Sequence, residues 1–246
     1  MRSLVMVLPF VALTFFCWGN YGPLMHEGQH EMGNNSLLAF IGVGLAYFLI
    51  AVVVPVLVLR SRGEVGKWTI SGAIWALTAG VAGAVGALGI ILAFKNHGKP
   101  VYVMPLVFGC APVVNTFVTM AMSRTWKEAG VVFYLGVIIV ALGAAGVMRY
   151  KPQKTHISIE TMANGDIRIE KKGEPRVQAT LEELQTEEEY AEWYKVYKKG
   201  RPATASEFTI VLMSIALTAL CWGAYGPVLH RGQAKMKGSR MRPFLC

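Results

Sequence analysis

Four residues near the N-terminus have the side chains of a metal site: His26, Glu27, His30 and Glu31. His26 and His30 are four residues apart, so on a helix both imidazoles would lie on one face, as zinc ligands do. No third ligand follows at a fixed spacing, and we predict no metal or other cofactor. A nucleophile is equally unsupported, because Cys17 lies in an apolar run without a neighbouring base. We therefore do not expect an enzyme.

A second group of residues has side chains suited to binding a solute. Asn20 and Asn115 are polar amides in or near long apolar runs. Around Asn115, Pro105 and Pro112 would interrupt a membrane helix and expose its backbone to a cavity, as in many transporters; a kinked packing helix is the alternative. The predicted pathway residues are Trp18, Asn20, Tyr21, His26, Pro112, Asn115, Trp222, Tyr225 and His230.

Two kinds of residue in this group have an alternative interpretation. Aromatic walls suit organic solutes, but Trp and Tyr at helix ends also form the ordinary interfacial belt of membrane proteins. His26 and His230 titrate near neutral pH and could take part in a proton-coupled step, whereas a solvated interfacial histidine is the more ordinary case.

The strongest pattern in the chain is a repeat. Residues 12–29, ALTFFCWGNYGPLMHEGQ, recur as residues 216–233, ALTALCWGAYGPVLHRGQ, and twelve of the eighteen positions are identical at an offset of 204. Each copy is an apolar run that turns polar after a Gly-Pro pair, as a membrane helix does at an interface.

The composition favours a membrane protein. Hydrophobic residues make up 54% of the chain and charged residues 16%, with a mean hydropathy of +0.43. The net charge of +9 does not indicate nucleic-acid binding, because the basic residues fall in short clusters between apolar runs. The lipid bilayer is therefore the predicted partner.

We predict an all-α polytopic membrane protein with six transmembrane helices and a small α+β extramembrane insert. In the third span, Gly80, Gly83, Gly86 and Gly89 form a smooth stripe for close helix packing. The predicted regions are a five-helix half (1–148), the insert (149–205) and a sixth span with a basic tail (206–246). The predicted spans are about 4–24, 37–59, 69–94, 101–122, 129–148 and 208–229.

The insert has its own secondary-structure signals. Ile157 and Ile159 alternate with polar residues, and Asn164-Gly165 predicts a two-residue hairpin turn. Thr180 and Glu183 form a capping box, after which we expect one helix to about Lys199. Its aromatic side is expected to rest on the bilayer or the helix bundle, because the insert has little core of its own.

Basic residues predict the orientation. With the N-terminus in the cytoplasm, eleven Lys and Arg lie in the inner loops and tail, against Lys95 and Lys99 in the outer short loops. The insert, 149–205, then lies on the outer side. Five spans separate the starts of the two repeat copies, so the copies must cross in opposite directions, as in many secondary transporters.

The chain resembles the drug/metabolite transporter superfamily, in its EamA-like branch. The likeness lies in Trp18-Gly19 of the first helix, AGVAGAVGALGIILAF of the third and VMPLVFGCAPVVNT of the fourth. It covers about residues 4–148, and 206–246 through the repeat. It implies two inverted halves of five helices in a bacterial inner membrane, moving small-molecule solutes such as amino acids, nucleotide sugars or drugs by alternating access. A non-transporting scaffold whose insert binds a partner is the alternative.

Two features depart from that superfamily. The segment 149–205 is longer than its usual connection between halves. At the offset of 204, Cys246 matches Gly42, so the sequence ends within the second span of the second half. We expect that the last four helices are missing from this chain; a six-span protein completed by a homodimer or by a separate second half is the alternative.

Overall fold

The structure is a computed structural model that describes residues 2–33, 35–62, 66–150, 157–171, 176–201 and 203–246. It divides into two compact units. The helical unit comprises Met1–Lys151 and Thr209–Cys246, and the small unit comprises Pro152–Phe208. Residues 151–156 of the predicted insert lie outside the described residues.

The helical unit contains only helices in its described part. They are α1 (Arg2–Glu31), α2 (Ser36–Phe48), a π-helical turn (Leu49–Val53), α3 (Val54–Arg62), α4 (Ile70–Lys95), α5 (Pro100–Ser123), α6 (Val131–Arg149) and most of α9 (Ala205–Lys235). A short 3₁₀ turn, Trp126–Glu128, lies between α5 and α6, and another, Arg242–Leu245, follows α9.

Six helical stretches of the described residues are long and apolar enough to cross a membrane, which indicates an integral membrane protein. The stretches are Val7–Glu31, Ser36–Ser61, Ile70–Lys95, Pro100–Ser123, Val131–Arg149 and Ala205–Lys235. The predicted class, a mainly helical polytopic membrane protein, agrees with this finding.

The first helix is longer than its apolar run. We expected a polar loop from His26 onwards, but α1 continues to Glu31, and α9 likewise continues to Lys235. Hydropathy shows where a helix leaves an apolar environment. The helix itself continues until its last backbone groups are paired by water, by side chains or by another part of the chain. In the chain reversal that follows, the Asn35 side chain caps α2 by accepting hydrogen bonds from Leu37 and Leu38.

The second membrane stretch is continuous but not uniform. Its π-helical turn, Leu49–Val53, ends two residues before Pro55. Proline has no amide hydrogen to donate to the carbonyl of Ala51, and a wider turn is one way in which a helix absorbs that loss.

The predicted glycine stripe of α4 is the surface on which α9 packs. A Cβ atom at Gly86 would overlap the ring of Trp222, and one at Gly89 would overlap the hydroxyl of Thr218. The two helices are also joined by hydrogen bonds from α9 side chains to backbone carbonyls of α4. Thr218 Oγ1 donates to Gly86 O at 3.1 Å, and Trp222 Nε1 donates to Gly83 O at 3.1 Å.

Contacts with α4 fix the directions of the two repeated helices. The end of α1 lies beside the end of α4, where the His26 and Phe94 ring centroids are 5.1 Å apart. The end of α9 lies beside the start of α4, where Thr69 Oγ1 donates to Lys235 O at 3.1 Å. Helix α1 is therefore parallel to α4 and α9 antiparallel to it, so α1 and α9 run in opposite directions.

The small unit is a three-stranded antiparallel sheet, in the order β1 (Ile157–Thr161), β2 (Ile167–Lys171) and β3 (Val177–Ala179), followed by helices. The β1–β2 hairpin forms at the predicted place. Its loop has three residues instead of two, because Met162 N donates to Asp166 O at 2.8 Å and leaves Ala163, Asn164 and Gly165 in the turn. The third strand was not predicted.

The helix expected from Thr180 to Lys199 is interrupted. The capping box of Thr180 and Glu183 is present and begins α7 (Leu181–Thr186). The chain then becomes extended at Glu187 and resumes as α8 (Ala191–Gly200). Glutamates at 183 and 187 would face each other one turn apart on a continuous helix, and like charges at that spacing disfavour it.

The small unit has a core of its own, contrary to expectation. Its buried side chains are Ile167, Ile169, Ala179 and Leu184. The aromatic residues that we expected to rest on the bilayer or the helix bundle pack against this core: Tyr190, Trp193, Tyr194 and Tyr197. The sheet therefore supplies the apolar surface that covers them.

The glycine stripe gives a first test. We expect Gly86→Ala to destabilise the protein by about 1–3 kcal/mol, because the added methyl group displaces the Trp222 ring. Gly80→Ala is the control on the same helix, since a Cβ there meets no atom within 4 Å. Thermal unfolding of both purified variants in detergent measures the difference. Equal unfolding temperatures for the two variants would contradict the packing.

The core of the small unit gives a second test. Leu184 is 1% exposed and Leu181 is 41% exposed, although both belong to α7. We expect Leu184→Ala to cost about 2–5 kcal/mol of local stability and Leu181→Ala much less. Limited proteolysis of the full chain should then cut within 157–201 several-fold faster in Leu184→Ala only. Equal cutting of both variants would show that α7 is not packed on the sheet.

Candidate functional site

The two repeated helices meet at their equivalent tryptophans. The ring centroids of Trp18 and Trp222 are 4.8 Å apart, with an interplanar angle of 71°. Phe108 of α5 lies 5.9 Å from Trp18 and 5.8 Å from Trp222, and Tyr21 lies 5.7 Å and 5.8 Å from the same two rings. We call these four side chains the aromatic cluster.

Helix α5 contacts both repeat copies through glycines at corresponding positions. A Cβ at Gly22 would overlap the side chain of Met104, and a Cβ at Gly226 would lie 2.8 Å from Nδ2 of Asn115. Met104, Phe108 and Asn115 share one face of α5, because they are separated by whole helical turns. The repeat and α5 together build the site.

A cavity of about 960 Å³ lies within the helical unit, next to the aromatic cluster. This size lies within the range of small-molecule sites in proteins, roughly 300–1,000 Å³. Small residues of α4, among them Gly80, Gly83 and Ala84, provide the space on one side. Aromatic side chains provide much of the remaining wall, including Trp18, Phe40, Tyr47, Phe108, Trp222 and Tyr225.

Five of the nine predicted pathway residues line this cavity: Trp18, Pro112, Asn115, Trp222 and Tyr225. They come from α1, α5 and α9, which are far apart in sequence. The structure therefore brings together both repeat copies and α5, which continues as one helix through Pro105 and Pro112.

The other four predicted residues lie elsewhere. Tyr21 belongs to the aromatic cluster and packs against the apolar core. His26 lines a second cavity of about 700 Å³, which also includes Lys99 and shares Gly19 and Phe108 with the first cavity. Asn20 Nδ2 donates to the carbonyl of Phe16 on its own helix at 2.8 Å. Asn20 and His230 line neither cavity.

Sequence reasoning missed several residues of the cavity wall. Tyr47 of α2 and Phe40 were overlooked because they lie inside an apolar span with no polar neighbour or repeat partner. Phe108 could have been found, because it lies four residues before Pro112. Proline cannot donate to the carbonyl of the residue four positions earlier, so Pro112 leaves Phe108 O without its helical donor.

The His26 and His30 pair is on a helix, as a metal site there would require. The ring of His26 nevertheless packs edge-on against Phe94. Within the described residues, no group of three or more His, Cys, Asp or Glu side chains is placed to hold a metal ion.

No known protein-family model matches the chain, and comparisons with curated proteins and with solved structures also found no match. The likeness to the drug/metabolite transporter superfamily therefore remains a prediction from the quoted sequence motifs.

The repeated tryptophans provide a matched test of the site. The indole N–H of Trp222 donates to Gly83 O, whereas that of Trp18 makes no hydrogen bond within the described part of the chain. Each Trp→Phe change removes similar ring area from the aromatic cluster. We expect Trp222→Phe to cost about 1 kcal/mol more than Trp18→Phe, because only the former loses a hydrogen bond.

The unfolding temperature of each variant in detergent, followed with a thiol-reactive dye, measures this difference. A larger loss in Trp18→Phe would show that the contact with Gly83 does not hold α9.

Proposed function

We propose that the chain is a membrane transporter of small organic solutes that works by alternating access. The single observation that supports this proposal most is the cavity of about 960 Å³, whose wall combines both copies of the repeat with helix α5. Secondary transporters built from inverted repeats place their solute site between the repeats, near the middle of the bilayer.

The directions of the repeated helices support the same mechanism. Helices α1 and α9 run in opposite directions and meet at Trp18 and Trp222. Corresponding positions of two inverted copies meet only near the pseudo-two-fold axis that relates them. The aromatic cluster therefore lies near that axis, where the solute sites of such transporters occur.

The proposed orientation has the N-terminus in the cytoplasm, in a bacterial inner membrane. Its support is the clustering of basic residues at one end of the helical unit. Lys67 precedes α4, its backbone N–H donates to Met236 O, and Arg231 and Lys235 lie on the adjoining last turns of α9. Basic residues favour the cytoplasmic side of a membrane. The small unit would then lie on the outer side.

A scaffold function is the second candidate, and the self-contained core of the small unit favours it. A unit with its own core can present a fixed surface to a partner. The two candidates differ in whether a solute must move through the helical unit. A variant that lacks cavity space would abolish transport and leave a scaffold function intact.

Uptake into proteoliposomes tests the transport proposal. Gly80→Leu would add a large side chain at the cavity wall, because Gly80 lines that wall and a Cβ there meets no atom within 4 Å. We expect at least one solute from a broad panel of labelled metabolites to enter faster than into protein-free liposomes. Gly80→Leu should reduce that uptake at least fivefold.

Gly136→Leu is the matched control, because Gly136 is also an open helical glycine but does not line the cavity. It should leave uptake unchanged. If no solute of the panel enters faster than into protein-free liposomes, or if both variants lose uptake equally, the cavity is not a transport pathway.

A further inference from the structure

The larger of the two cavities described above has a mainly apolar lining. Among the described residues, no charged side chain lines it. Besides the indole N–H groups of Trp18 and Trp222, its polar residues are few: Thr14, Tyr47, Asn115, Thr116, Tyr225 and Cys246. The second cavity of the same unit includes Lys99 and His26, so the helical unit does place ionisable groups beside its other cavity.

Some of these polar groups are already engaged. Thr14 Oγ1 donates to Phe10 O at 2.8 Å, and Thr116 Oγ1 donates to Pro112 O at 2.9 Å. Both hydroxyl hydrogens are therefore used within their own helices. The indole N–H of Trp222 is likewise used by Gly83 O.

Four side chains keep their hydrogen-bonding capacity at the cavity wall. The amide of Asn115, the hydroxyls of Tyr47 and Tyr225 and the indole N–H of Trp18 make no hydrogen bond within the described part of the chain. An amide offers both a donor and an acceptor, and a phenol offers the same. The carbonyl of Phe108, which lacks its helical donor because of Pro112, adds a further acceptor on α5.

We propose that the ligand of this cavity is an uncharged ring compound with a hydrogen-bonding group, whose ring packs on Trp18, Phe108 and Trp222 and whose polar group meets Asn115. This inference rests on the proposed function, since it names the class of solute that the transporter would carry. It excludes anions, zwitterions and organic cations as preferred ligands.

The exclusion follows from the cost of burying charge. An ion that leaves water for an apolar cavity loses hydration, and it is tolerated only where an opposite charge or several oriented hydrogen bonds replace the water. The described wall offers the few neutral groups named above. A neutral ring loses little by leaving water and gains contacts with the aromatic side chains of the wall.

An organic cation is the strongest rival, because aromatic faces attract cations. Such contacts are strongest where water is excluded from the ring face. Among the described residues, no carboxylate side chain lines the cavity, and cation–π attraction alone does not replace the hydration of a primary ammonium group. A cation that bound more tightly than a neutral probe would therefore overturn the proposal.

Three labelled indoles that share the same ring system and differ in charge provide the test. Indole-3-ethanol is neutral, indole-3-acetate is an anion and tryptamine is a cation at pH 7. Equilibrium dialysis against the full chain in nanodiscs measures saturable binding, with empty nanodiscs subtracted to remove partitioning into lipid. We expect indole-3-ethanol to bind at least tenfold more tightly than either charged indole.

Three variants locate the binding. Gly80→Leu should weaken indole-3-ethanol binding at least tenfold, and Gly136→Leu should not change it. Asn115→Leu keeps the size of the side chain and removes the amide, so it should weaken binding several-fold. No saturable binding of indole-3-ethanol, equal or tighter binding of a charged indole, or indifference to Gly80→Leu would each overturn the proposal.

The same protein in liposomes separates this inference from the proposed function. Uptake of a charged solute without saturable binding of indole-3-ethanol would overturn the ligand class and leave transport standing. Saturable, Gly80→Leu-sensitive binding of indole-3-ethanol, with no uptake of it or of any panel solute, would overturn transport and support the ligand class.

Discussion

The close contact between α4 and α9 is the constraint on which the rest of the helical unit depends. Within a bilayer, apolar side chains gain little from leaving lipid for one another, so helices associate through backbone proximity and hydrogen bonds. The α4 stripe provides both: Gly86 and Gly89 have no Cβ to hold α9 away, and the carbonyls of Gly83 and Gly86 accept hydrogen bonds from Trp222 and Thr218.

That contact determines the position of Trp222, and through it the cavity. Because Trp222 Nε1 is held by α4, the ring faces the equivalent Trp18 and the intervening Phe108. The glycines on which it rests also leave room beside it, since Gly80 and Gly83 line the cavity as well. One pattern, a glycine at every third position, therefore supports both the packing of two helices and the space next to them.

The features that depend on local sequence were predictable. Hydropathy identified the apolar stretches, the glycine spacing identified the packing face of α4, and Thr180 with Glu183 identified the start of α7. Each of these sequence patterns lies within one segment of the chain, and the interaction that it predicts depends mainly on residues of that segment.

The features that depend on distant residues were not predictable. The break at Glu187 was missed for a different reason: its cause is local, but it depends on the balance between helix propensity and repulsion among glutamates, which the capping box alone does not show. The aromatic side of α8 is covered by the sheet. The third strand of that sheet has no sequence pattern that predicts it. Tyr47 lines the cavity only because α2 packs beside α4.

Pairs of equivalent glycines show how differently the two copies are used. A Cβ at Gly223 would lie 2.5 Å from Val114 and 2.8 Å from Ala111 O, so α9 requires glycine there. The equivalent Gly19 has no atom within 4 Å of its Cβ position, and alanine would favour the helix by about 1 kcal/mol. Packing in this conformation therefore does not account for glycine at Gly19. The same glycine of the repeat is thus required by contact with α5 in α9, whereas in α1 it leaves open space, where Gly19 lines both cavities.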